Sequence, residues 1–231
     1  MDFRHEWKHQ IRYGDLLALR SRLEAVMARD VHTQQGVYRI RSLYFDNLAD
    51  KALREKLDGV NGREKFRIRY YNGDTSLILL EKKSKLNGLC SKEQAQLTPW
   101  EVEAVAREEF LPLADSQSPL IRELYRKIRS QGLAPKTIVD YTREPFVFAP
   151  GNVRVTLDYH IRTGLCSTDF LDPDCVTVPV EGNPIILEVK WDAFLPSVIR
   201  DIVQVLSDGN KYPGKYRHST SEQEPALRTD C

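Results

Sequence analysis

Basic side chains recur at every second position in several short stretches of this chain, and every second residue of a β-strand faces the same side. Arg63, Lys65, Arg67 and Arg69 form one such series, with Phe66, Ile68 and Tyr70 pointing the other way. Arg4, Glu6 and Lys8 form another, opposite Phe3, His5 and Trp7. Further along, Glu81 and Lys83 share a side with Leu77 and Leu79, and Lys92 shares one with Gln94 and Gln96. Arg143 lies with Tyr141, Arg154 with Thr156 and Asp158, and Glu188 with Lys190. Surfaces that gather Arg and Lys around a minority of carboxylates can grip phosphate oxygens, while the carboxylates hold a divalent cation beside them.

A sheet with one wet face produces the same alternation, since antiparallel sheets commonly bury one side only. Two features argue for an enclosed charged face instead. The chain supplies several amphipathic helices that need apolar sheet surface to cover. The charged faces also carry few of the Thr and Ser residues usual on solvated sheets. If the sheet curls and closes, the helices pack outside and the charges point into a lumen. Cations confined there repel one another unless an anionic ligand is present, and a phosphate chain with a metal ion relieves that conflict. The expected fold is therefore α+β, an antiparallel closed or nearly closed β-barrel with helices packed on its outside.

The elements that would position these residues are readable. Strands are expected near 3–10, 37–46, 63–71, 76–83, 90–97, 136–148, 152–162 and 184–191, separated by turn signals such as Asn72-Gly73-Asp74, Asn87-Gly88 and Pro150-Gly151-Asn152. Asp15 is expected to cap a helix carrying Leu16, Leu19, Leu23 and Val26, and Asn47 another that Gly59 ends. Thr98-Pro99 and Ser118-Pro119 each put a hydroxyl before a first-turn proline, and Glu101 completes a capping box with Thr98. Pro196 opens a last helix with an apolar face of Val198, Ile199, Ile202, Val203 and Leu206. One domain is expected over residues 1–217, followed by a disordered tail at 218–231.

Composition narrows the function classes. With 34 Lys plus Arg against 33 Asp plus Glu in 231 residues, the net charge of +1 creates no bulk attraction to nucleic acid or membranes. The basic strand from Arg63 to Arg69 has no interleaved aromatic platform for stacking bases on its own face, so no nucleic acid partner is expected. Gly-rich dinucleotide and P-loop signatures are missing. Cys90, Cys166, Cys175 and Cys231 lack metal-ligand spacing and read as reduced thiols of a cytoplasmic protein. No apolar run approaches the roughly 20 residues needed to cross a bilayer, so no direct membrane insertion is expected. The five histidines read as surface or packing residues, and Trp7, Trp100 and Trp191 as core anchors.

Eight motifs stand in an order that resembles the VTC-type polyphosphate polymerase domain, within the triphosphate tunnel metalloenzyme or CYTH-like superfamily. They are Arg4-His5-Glu6-Trp7-Lys8, Ser42-Leu43-Tyr44-Phe45-Asp46, Arg63 to Tyr70, Leu80-Glu81-Lys82-Lys83, Tyr141-Thr142-Arg143, Val153 to Asp158, Ile186-Leu187-Glu188-Val189-Lys190 and Lys211 to Tyr216. The resemblance spans roughly residues 3 to 217 and implies a phosphotransferase that moves the γ-phosphate of ATP onto inorganic polyphosphate inside a basic tunnel. It implies phosphate binding by Lys8, Arg67, Arg69, Lys83, Lys92, Arg143, Arg154, Lys190, Lys211 and Lys215. Glu188 would bind Mg²⁺ or Mn²⁺, supported by Glu6 and Glu81, and Arg67, Arg69 and Glu188 would carry catalysis. Gly214 stands where the family often has serine, and Arg4 where CYTH triphosphatases usually carry another glutamate, which favours the polymerase branch. A tripolyphosphatase or nucleoside triphosphatase, or a non-catalytic module binding polyphosphate or inositol phosphates, is the alternative. Coupling to membrane transport would need a membrane partner protein.

Overall fold

Asn72-Gly73 and Asn87-Gly88 reverse the chain twice in quick succession. All four residues have positive φ, at 56°, 76°, 51° and 79°, the backbone that two-residue hairpin turns demand and that Asn and Gly tolerate best. Around these turns the computed structural model describes residues 3–204. The strands are β1 (His5–Ile11), β2 (Ala28–Arg29), β3 (Tyr38–Asp46), β4 (Arg63–Tyr71), β5 (Asp74–Leu86), β6 (Leu89–Gln96), β7 (Ala134–Phe148), β8 (Val153–Thr163), β9 (Val178–Pro179) and β10 (Ile185–Trp191). The helices are α1 (Tyr13–Val26), α2 (Lys51–Leu57), α3 (Pro99–Ala106), α4 (Pro119–Gln131) and α5 (Ser197–Val203). The end of the expected domain, with Lys211 and Lys215, and the expected tail at 218–231 lie outside the described residues.

All the main strands join one antiparallel sheet in the order β1-β10-β8-β7-β3-β4-β5-β6, with β2 beside β7 and β9 beside β8. The two edges of that path meet. Arg4, just before β1, and Cys90 of β6 exchange backbone hydrogen bonds of 2.9 and 3.0 Å. The sheet thus curls into a nearly closed barrel, as expected.

The outer face carries two apolar cores. Phe66, Ile68 and Leu80 pack against Val102 and Val105 of α3 and Ile121 and Leu124 of α4. Val155, Leu157, Leu187 and Val189 pack against Leu16, Leu19 and Leu23 of α1 and Ile199 of α5. Each fully buried Leu or Ile contributes about 1.5–3 kcal/mol, so covering the outside drives the curl. Polar clamps fix the helices in place. Glu144 accepts hydrogen bonds from Arg20 of α1, Arg29 and Tyr159, and Lys82 reaches Glu123 of α4 at 2.6 Å.

Four local expectations need correction. Asp15 lies inside α1, three residues past the cap, where its carboxylate accepts from Arg12 N at 3.1 Å. Asp46 and Asn47 do bind the first amide groups of α2, but the intervening turn delays the helix to Lys51. Trp100 is 63% exposed at the start of α3, while Trp191 is buried and meets Trp7 edge-on at 4.6 Å. The Thr98–Glu101 capping box forms as expected. Cys90 and Cys175 are free thiols, whereas Cys166 is disulfide-bonded, so four reduced cysteines are not what the fold holds. No described helix is long and apolar enough to cross a membrane.

Candidate functional site

Strand register decides which charges meet inside the barrel. Lys8 faces Glu188, Glu6 faces Lys190, Arg67 faces Glu81 and Arg143 faces Asp158. Lys65, Lys83 and Lys92 form a row across β4, β5 and β6, a like-charge arrangement that costs stability when left uncompensated. Within the wall lies a cavity of about 170 Å³, lined among others by Lys8, Tyr44, Arg67, Lys83, Tyr141, Arg143, Asp158, Glu188 and Lys190. One part of it is apolar, where Val139, Ile161 and Ile186 pack beside Tyr44 and Tyr141. Leu53 and Lys56 of α2 and Lys136 of β7 edge the cavity as well.

The inward cations are tethered to carboxylates. Arg143 makes paired bonds of 2.7 and 2.6 Å to Asp158. Arg67 bonds Glu81 through Nε and Nη2 at 2.8 and 2.7 Å, and its Nη1 donates to the Tyr44 hydroxyl at 2.8 Å. Arg69 stands behind it, donating to Ser42 Oγ and the Tyr141 hydroxyl and lying 3.6 Å from Glu81. Lys92 joins Glu81 at 3.3 Å, and Arg154 joins Asp30 at 3.0 Å. Glu188 receives Lys8 at 2.9 Å and Lys190 at 2.5 Å, while Glu6 receives Lys83 at 3.2 Å and Lys190 at 3.3 Å. Counting these residues together with Lys65 gives nine cations against five carboxylates, Glu6, Asp30, Glu81, Asp158 and Glu188. Nine minus five leaves an excess of +4 on this one surface, although the whole chain carries only +1. Local segregation, not bulk charge, makes the site.

The field of these cations keeps the carboxylates ionised. Burial alone would raise the Glu6 carboxyl, but Lys83, aided by Lys8 and Lys190, holds it down at about 2. Glu188 sits well below the usual range because Lys190, Lys8, Lys83 and Arg143 outweigh its burial. Glu81 is lowered in the same way by Arg67, Arg69 and Lys92. Lys190 is pulled down instead, by burial and then by Lys83 and Arg143, despite its two carboxylate partners.

For a divalent cation the donor set is sparse but workable. No group of three or more His, Cys, Asp or Glu side chains able to hold a metal exists among the described residues. Glu81 is committed to Arg67, Arg69 and Lys92, so the expected trio of Glu188, Glu6 and Glu81 does not assemble. Glu6 and Glu188 do converge, through Lys190. Across the ladder from Glu188, the buried Thr156 hydroxyl makes no hydrogen bond among the described residues, and so is a polar group able to serve a ligand there. One or two carboxylates completed by substrate phosphates is a sufficient set for Mg²⁺.

The structure brings Lys8, Arg67, Lys83, Arg143, Glu188 and Lys190 to the cavity wall; Arg69, Lys92 and Arg154 join the same inward network at its periphery. Asp158, Tyr44 and Tyr141 share that wall without having been singled out as ligands, although their place on the alternating charged faces was a usable signal.

A nearly closed antiparallel barrel with a net-cationic lumen is a tunnel-type protein. The profile of the VTC domain matches residues 3–221, and the chain belongs to that family. Among solved structures, the fold resembles a candidate adenylate cyclase from Bacillus halodurans, at a TM-score of 0.50 and 14% identity, over 82% of this chain and 80% of that one. It also resembles a candidate adenylyl cyclase from Hippeastrum reported to have a dominant triphosphatase activity, at a TM-score of 0.50 and 13% identity, over 87% and 84% of the two chains. No curated protein matches the chain in sequence.

Proposed function

We propose that this protein transfers the terminal phosphoryl group of ATP onto the end of a polyphosphate chain held in its tunnel. The observation that carries this reading is the excess of four positive charges on the inner face, which a polyanion can neutralise. Membership of the VTC domain family supports it.

Arg67 and Arg143 are pre-oriented by their carboxylate partners and keep further N–H groups for phosphate oxygens. Such fixed donors hold donor and acceptor phosphates in line and stabilise charge spreading over the transferred group, with no covalent protein intermediate. Lys8 and Lys83 add further positive charge to the cavity lining. Glu188, with Glu6, would hold Mg²⁺ or Mn²⁺, which when bound neutralises phosphate charge. The apolar part of the cavity offers room for the uncharged portion of a nucleotide.

Hydrolysis of a triphosphate is the second reading, favoured by the triphosphatase activity of the Hippeastrum relative. Incubation with ATP and Mn²⁺, followed by sizing of the products on a gel, separates them. Long phosphate chains support transfer. Release of free phosphate alone supports hydrolysis, and tight binding without turnover supports a sensing module.

A further inference from the structure

Lys190 occupies an unusual position for a phosphate ligand. Its ammonium lies 2.5 Å from Glu188 Oε1 and 3.3 Å from Glu6 Oε2, bridging the two carboxylates available for a cation. The remaining Glu188 oxygen is taken by Lys8 at 2.9 Å, and Glu6 Oε2 is shared with Lys83 at 3.2 Å. The carboxylates are nearly inaccessible, with side-chain exposures of 3% for Glu188 and 11% for Glu6. Burying two carboxylates side by side is expensive unless cations compensate them, and Lys190 stands between the two.

We propose that Lys190 is the resident counter-ion of the Glu6–Glu188 pair, and that a divalent cation binds there only together with a phosphate chain that draws the Lys190 ammonium away. This rests on the reading of the tunnel as a phosphate site. Three ammonium groups (Lys8, Lys83 and Lys190) against two carboxylates leave this corner at +1. A divalent cation arriving alone would raise it to +3 in a region screened from water, where repulsion between cations is strong. A phosphate chain reverses that balance, supplies the missing metal donors and offers Lys190 new acceptors. The flexible lysine stem, with three rotatable donors, suits such an exchange; a guanidinium fork would not.

Equilibrium dialysis of the purified chain with Mn²⁺ tests this, with and without tripolyphosphate, for the wild type, Lys190→Met and the double variant Lys190→Met/Glu188→Gln. The wild type should retain Mn²⁺ only when tripolyphosphate is present. Lys190→Met should retain Mn²⁺ without it, at least about tenfold more tightly than the wild type, the size of effect that neighbours of a metal ligand exert. The double variant should lose that gain. Equal Mn²⁺ affinity in the wild type with and without tripolyphosphate, or no gain in Lys190→Met, overturns the proposal. Near-ultraviolet circular dichroism establishes that the variants fold; should Lys190→Met fail, Lys190→Gln carries the same comparison and the wild-type ratio decides by itself. Calorimetry of tripolyphosphate binding to the wild type without metal separates the two readings. No binding removes the phosphate-tunnel reading, whereas binding with Mn²⁺ affinity indifferent to residue 190 removes this inference alone.

Discussion

Arg143 and Asp158 face each other across the β7–β8 ladder and join through two parallel bonds, Nε to Oδ1 at 2.7 Å and Nη2 to Oδ2 at 2.6 Å. This fork locks the guanidinium plane in a cavity wall where a phosphate would meet its free edge. A lysine keeps the charge but cannot keep the plane. Arg143→Lys is therefore expected to fold and to bind tripolyphosphate roughly tenfold more weakly, as loss of one charge-assisted hydrogen bond implies. Isothermal titration calorimetry reads this directly, and unchanged affinity would remove Arg143 from the phosphate site. Arg143→Met leaves Asp158 as an uncompensated buried charge and should cost about 3–5 kcal/mol in urea unfolding.

Glu188→Gln keeps the shape of the side chain and removes its charge. Turnover with Mn²⁺ or Mg²⁺ should vanish while the circular dichroism spectrum stays that of the wild type. Full activity in this variant would show that the metal is held elsewhere.

Tripolyphosphate should stabilise the fold even without metal, because it neutralises the +4 excess of the inner face. At a hundredfold excess over its dissociation constant the gain is about 2.7 kcal/mol, or a melting shift of roughly 5–10 °C for a domain of this size. Differential scanning fluorimetry measures it. A shift just as large with Lys8, Arg67 and Arg143 all changed to Gln would locate the binding outside the tunnel.

Acid should loosen the barrel in a defined window. Glu6 is held at about 2 against an ordinary 4.5, so its pairing contributes fully above about pH 4.5 and is lost as pH falls toward 2. A shift of that size corresponds to roughly 3 kcal/mol, more than half of it gone by about pH 3. Glu188 and Glu81 act in the same direction. Urea midpoints of Glu6→Gln should fall less steeply between about pH 5 and pH 3 than those of the wild type; identical slopes would refute the assignment.

The strands were legible because period-two alternation survives any register: the limits expected for 63–71 coincide with β4, and all eight main strands exist. The inward direction of the charge was legible from what the helices must cover, since Phe66 and Ile68 had to meet α3 and α4. Pairing was not. The Asn72-Gly73 hairpin could have set Arg67 beside Glu81, but the pairing of β1 with β10 joins sequence-distant strands and leaves no local signal. Lys190 was read as a phosphate ligand although Glu188 shares its strand face, because its second carboxylate, Glu6, comes from β1 at the far end of the described chain. Helix starts failed at Asp15 and Asn47 because an acceptor that binds amide groups of the first turn can stand inside the helix or several residues ahead of it.

Glu6 and Lys8 reach Glu188 and Lys190 only when β1 hydrogen-bonds to β10, and the Arg4–Cys90 contact then joins the two edges. A nascent chain emerging from the ribosome therefore holds no competent site until almost the whole sequence behind β1 has been made. Closing the wall around Glu188 and Lys190 thus waits on the most sequence-distant strand pairing, the kind whose loop-closure cost is greatest. A chain that lacks β10 therefore lacks the β10 partners of Glu6 and Lys8, and with them this part of the inner face.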